Sequence, residues 1–93
     1  SERNFQAMEA EQKGDIELAI SLYEQSVAEE FVEAHPYERL AAIYERQGKR
    51  EDALEATEKF IALAKSGRMP KGAQRSADRK MAEFETRARK CRE

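Results

Sequence analysis

His35 and Cys91 are the one imidazole and the one thiol of this 93-residue chain. Proton transfer near neutral pH falls naturally to histidine, and covalent attack to a thiolate or an activated hydroxyl. Neither residue has company. No serine sits in a glycine-flanked elbow, no glycine-rich loop leads into a helix to cradle phosphate, and no His or Cys has a second ligand at metal-binding spacing. His35, next to Pro36, reads as a helix-start residue, and Cys91 as a small member of an apolar seam. The 19 Asp and Glu read as solvent-facing charge. The expectation is a protein that is not an enzyme and holds no cofactor or metal.

The background composition points the same way. Charged residues make up 39% and aromatics 8%, with four Gly, two Pro and no Trp, which favours helices with a large polar surface over a sandwich or barrel. The longest apolar runs, Leu40 to Tyr44 and Phe60 to Ala64, fall far short of the ~20 residues that cross a bilayer. No apolar stretch follows a basic start, so the expected location is cytoplasmic, with no membrane contact. The net charge of −2 conceals an asymmetry. Residues 1–64 hold seven Lys+Arg against fifteen Asp+Glu, and residues 65–93 hold ten against four, so the two parts carry −8 and +6. Opposite signs of this size allow one part to dock on the other, two molecules to pair, or the basic end to meet an acidic partner.

Spacing divides the chain into five helices. A short helix over about 3–13 stops at Gly14. Asp15 then caps a second, whose Ile16, Ala19, Ile20, Tyr23, Val27 and Phe31 share one face. His35 and Pro36 open a third, which buries Tyr37, Leu40, Ala41, Ile43 and Tyr44 and ends at Gly48. A fourth carries Ala53, Leu54, Thr57, Phe60, Ile61 and Ala64 to a stop at Ser66 and Gly67. Residues 66–72, with Gly67, Pro70 and Gly72, read as a flexible joint. The last helix, about 73–92, lines up Ala77, Met81, Phe84, Ala88 and Cys91 as a narrow seam that needs a partner surface.

Sliding the sequence along itself by 34 residues superposes Gly14 on Gly48 without a gap. The same shift matches Ala7 with Ala41, Glu11 with Glu45, Glu17 with Glu51, Ala19 with Ala53, Glu24 with Glu58 and Ala28 with Ala62. Tyr37, Leu40, Ala41 and Tyr44 precede Gly48 and Ala53 follows it at the offsets of a known pattern. The chain resembles the tetratricopeptide repeat family over about residues 3–67. Small Ala41 and Ala53 would sit where helices cross closely, and Gly48 where a side chain would clash. The first unit has Arg3, Gln6 and Ala10 where the family prefers bulky apolar groups. The second has Thr57 in place of an aromatic and Phe60 in place of a small residue. A third glycine is missing, since the shift lands on Ala82. The resemblance therefore implies one all-α domain with right-handed superhelical stacking. Its parts are repeat one (about 3–34), repeat two (about 35–67), each an antiparallel helix pair, and a C-terminal capping helix whose basic surface lies beside the acidic repeats.

By resemblance, the first helix of each pair lines a concave face that binds a peptide or protein. The positions that follow are Asn4, Phe5, Met8, Glu11 and Gln12 from the first unit and Glu38, Arg39, Ala42, Glu45 and Arg46 from the second. Phe5 and Met8 would anchor apolar side chains and Arg39 would orient a carboxylate. Two alternatives stand beside this. In one, Phe5 and Met8 are covered by the returning C-terminal helix or by a second subunit, giving a homodimeric module. In the other, Arg75, Arg79, Lys80, Arg87, Arg89 and Lys90 lie along nucleic-acid phosphates, against which the interleaved Asp78, Glu83 and Glu85 argue. The family's lysine-and-asparagine clamp for chaperone tails is absent, because Asn4, Met8 and Arg39 occupy its positions.

Overall fold

The computed structural model describes residues 2–93, which form five α-helices and no strand. They are α1 (Glu2–Gln12), α2 (Ile16–Ala28), α3 (His35–Arg46), α4 (Arg50–Ala64) and α5 (Lys71–Arg92). Each packs on the next in the chain. The shortest dimension of the molecule, 19 Å, accommodates two helix layers at about 10 Å each. No helix among the described residues is long and apolar enough to cross a membrane.

The two glycine turns are near-copies. Gly14 and Gly48 take φ of +84° and +76°, a backbone state that costs glycine little and other residues more. After α1, the amides of Gly14 and Asp15 bond the carbonyls of Glu11 (3.1 Å) and Ala10 (2.8 Å). After α3, those of Gly48 and Lys49 bond Glu45 (3.0 Å) and Tyr44 (2.8 Å). Both turns satisfy carbonyls that a helix end leaves open. The expected clash at Gly48 is absent, since a Cβ there would meet nothing within 4 Å. Backbone angle, not space, calls for glycine. The α2 terminus makes the same turn with Glu30 at φ 56°, which ends that helix at Ala28 and takes Phe31 off the apolar face where spacing had put it. Phe31 instead presents its carbonyl to the Tyr37 hydroxyl at 2.7 Å.

Packing follows the small residues. Ala7, Ala41, Ala19 and Ala53, the two pairs related by the 34-residue shift, are all 0% exposed. Thr57 and Phe60 are equally buried. The Thr57 hydroxyl donates to the Ala53 carbonyl (2.7 Å), so a polar group is tolerated in place of an aromatic. Phe60 stands between two rings, with Tyr37 of α3 at 5.0 Å and Phe84 of α5 at 4.5 Å between centroids. A large side chain at this position is what the last helix docks on. Ala77, Phe84, Ala88 and Cys91 bury against the chain's own repeats, and Met81 is half-covered.

The segment before α5 is shorter and better tied than its glycines imply. Pro70 (φ −60°, ψ 157°) turns the chain into the helix, which begins at Lys71 and so takes in Gly72. Met69 packs into the core, and the Arg68 guanidinium holds both Glu30 carboxylate oxygens, at 2.7 and 3.0 Å. Two contacts anchor what read as a joint.

Candidate partner-binding face

The open face is built from α1, α3 and α5. Lys80 meets Glu38 at 3.4 Å and Arg87 meets Glu45 at 3.2 Å, each across the same sequence separation, so α5 runs alongside α3 in the same direction. Arg87 also donates to the Glu38 carbonyl at 3.2 Å. On the other side of α3, Arg39 reaches α1 and grips Glu11 with Nε (3.2 Å to Oε1) and Nη2 (to Oε2). Tyr23 donates to the same carboxylate at 3.1 Å, and the His35 ring stands edge-on to Tyr23 at 5.9 Å. Two clefts follow α5, one of about 420 Å³ bounded by Glu38, Glu45, Phe84, Arg87 and Lys90, the other of about 540 Å³ bounded by Val32, His35, Ala73, Arg79 and Lys80.

Placement of the expected residues is mixed. Phe5 and Met8 lie one turn apart on α1, 57% and 39% exposed, with exposed Gln12 a turn further on. They are not covered by α5, which packs on α4 and borders α3, correcting the expectation that the returning helix hides them. Ala42 is half-buried and Arg46 exposed. Asn4 is a correction: it is 7% exposed, and Ser26 of α2 donates to its Oδ1 at 2.7 Å, so it belongs to the α1–α2 contact. Arg39 has Nε and Nη2 engaged by Glu11 and keeps 38% of its side chain exposed, so a partner's carboxylate would share it with Glu11. Glu38 and Glu45 pair with Lys80 and Arg87 of α5 while bounding the first cleft of the open face.

Hydrogen bonds and burial shift several groups of this polar layer. The hydrogen bond from Arg39 holds the Glu11 carboxyl below its usual range, with the Arg39 charge and the Tyr23 hydroxyl acting in the same direction. Burial, then the neighbouring Glu11, raises the Tyr23 hydroxyl. Burial pushes Tyr37 up to about 12. Burial and Glu45 raise the Cys91 thiol, which keeps it protonated and a poor nucleophile. No cluster of His, Cys, Asp and Glu among the described residues has the geometry of a metal site.

A carboxyl whose folded pKa lies below its unfolded one stabilises the fold above the unfolded value, and that contribution is lost as pH falls through the folded value. Wild-type protein should therefore lose stability below about pH 4.5, the ordinary carboxylate value for Glu11. Glu11→Gln should flatten part of that decline in urea melts between pH 3 and 5 (about the range where carboxylates titrate). Parallel curves for the two proteins would show that Glu11 carries none of the pH dependence.

The ties made by glutamates are what sequence reasoning missed. Glu24 and Glu58 read as solvent charge and Glu11 and Glu45 as concave-face positions, yet each ties its helix to another: Glu11 to Arg39, Glu24 to the Tyr44 hydroxyl, Glu45 to Arg87 and Glu58 to Arg92. A signal was present, since the 34-residue shift pairs Glu11 with Glu45 and Glu24 with Glu58. In comparisons with known proteins, no family model, no curated protein and no solved structure matches the chain.

Proposed function

We propose that the chain is a non-catalytic interaction module of the tetratricopeptide type, with right-handed superhelical stacking, that binds a peptide or protein segment along the face of α1, α3 and α5. The observation that carries this reading is the exposed pair Phe5 and Met8, an apolar step on α1 one turn before exposed Gln12. Such a pair suits a ligand that anchors through a few apolar side chains and is oriented by polar ones. The near-identical glycine turns and the four fully buried alanines support the family reading. Asn4 leaves the list of ligand contacts, Arg39 stays on it already paired to Glu11, and α5 joins it as a third wall.

Peptides selected from a displayed library against the wild-type protein provide the test. Phe5→Ala with Met8→Ala should weaken them by about 10- to 100-fold, the range for losing interface anchors. Melting should stay within about 0.5 kcal/mol, because both side chains are surface-exposed. Equal binding to both proteins would refute the assignment of the face. A wild-type dimer that the double variant converts to monomer in light scattering would instead favour self-association.

A further inference from the structure

The ten Lys and Arg of residues 65–93 divide evenly once α5 is docked. Five close on acids: Lys65 on Glu85, Arg68 on Glu30, Lys80 on Glu38, Arg87 on Glu45 and Arg92 on Glu58. Lys71, Arg75, Arg79, Arg89 and Lys90 are exposed and form no ion pair with a described residue. Helix periodicity gathers these five. Lys71, Arg75, Arg79, Ala82, Thr86 and Lys90 recur at three- and four-residue intervals, with Arg89 beside them, on the side of α5 opposite Ala77, Phe84, Ala88 and Cys91. The row is exposed throughout.

Of the four acids here, Glu93 follows the row at the helix end, three residues after Lys90, and the other three lie off its line. Glu85 turns to Lys65. Asp78 stands on one flank and accepts from Gln74 at 3.0 Å, while Glu83 stands on the other and lines the cleft against α3. The sequence argument against phosphate contact rested on those three residues and on the lack of an aromatic to stack a base, and their placement answers the first part.

We infer that this outer face of α5 is an electrostatic docking surface for the phosphate backbone of double-stranded nucleic acid, adjoining the peptide face proposed above, whose clefts Arg79 and Lys90 also border. The row spans about 29 Å at ~1.5 Å per residue, enough to follow several phosphates. Three of its five cations are arginines, whose forked donors match phosphate oxygens. It has no aromatic on which unpaired bases would stack, which disfavours a single strand. Only Ala82 and Thr86 lie between the cations, whereas protein interfaces are built around large buried anchors and deplete charge at their centre. The net charge of −2 places the attraction in the row itself and not in the molecule as a whole.

The full chain is titrated with a labelled DNA duplex of about 20 base pairs at several salt concentrations, following anisotropy. Binding at low salt should fall as salt rises, with a log–log slope of about −3.6 to −4.5 for four or five neutralised phosphates. Arg75→Gln with Arg79→Gln and Lys90→Gln should reduce that slope by roughly 2.7 and weaken low-salt binding at least about 10-fold, with circular dichroism unchanged. Lys59→Gln, an exposed cation of α4, should leave binding as it was, and so should Phe5→Ala with Met8→Ala, which separates this surface from the peptide face. No duplex binding at low salt, or a slope unaltered by the triple variant, overturns the inference. Tighter binding to polyglutamate or to anionic lipid vesicles than to the duplex overturns it too, assigning the row to an acidic protein or a membrane surface.

Discussion

Phe60→Ala is expected to cost about 3–5 kcal/mol, the usual range for removing a fully buried aromatic ring. At this chain length that lowers the melting temperature by roughly 15–30 °C. The side chain is 0% exposed and lies between Tyr37 and Phe84, so its loss loosens α4 from α3 and from α5 together. Against a total stability of about 5–10 kcal/mol for a domain of this size, the loss takes roughly a third or more of the whole. Phe60→Leu, which keeps most of the volume and loses the ring contacts, should cost only about 1–1.5 kcal/mol. A Phe60→Ala protein that melts within about 1 kcal/mol of wild type would mean that the three rings do not join α3, α4 and α5.

Overfilling is the second large effect. Ala41 has no exposed surface, so an indole there must push neighbouring helices apart. Ala41→Trp should cost about 3 kcal/mol or more and broaden or abolish cooperative unfolding. Ala42→Trp supplies the contrast. Ala42 is half-buried, one residue along and turned toward the open face, where added bulk should change stability by less than about 1 kcal/mol. Urea melts of the pair decide the point: similar midpoints would show that the close packing at Ala41 is wrong.

Spacing puts both residues on buried helix faces. Phe60 is a large ring where the family pattern has a small residue. It serves as the docking point, because Phe84 comes from α5 to meet it at 4.5 Å. Asn4 shows the converse. Its place in the repeat put it on the open face, yet its first-unit helix lacks the bulky side chains of the second, and the Ser26 hydroxyl takes Asn4 inward. Arg39 looked available because its partner, Glu11, lies 28 residues away on another helix.

Helix limits, glycine turns and buried stripes were legible in the residues because each depends on neighbours within a turn or two. Asp15 caps through the Leu18 amide three residues on (3.3 Å), Gly14 and Gly48 answer a local backbone angle, and Ala77, Phe84, Ala88 and Cys91 share a face by periodicity alone. Tertiary structure decided which charges are paired and which cations are left outside. Glu45 and Arg87, or Glu38 and Lys80, meet only after whole helices have been set side by side in one register, and a small slide or rotation of α5 would exchange paired cations for free ones. Long flexible side chains make that choice last, after the apolar seam and the Phe60–Phe84 contact have fixed where the helix lies.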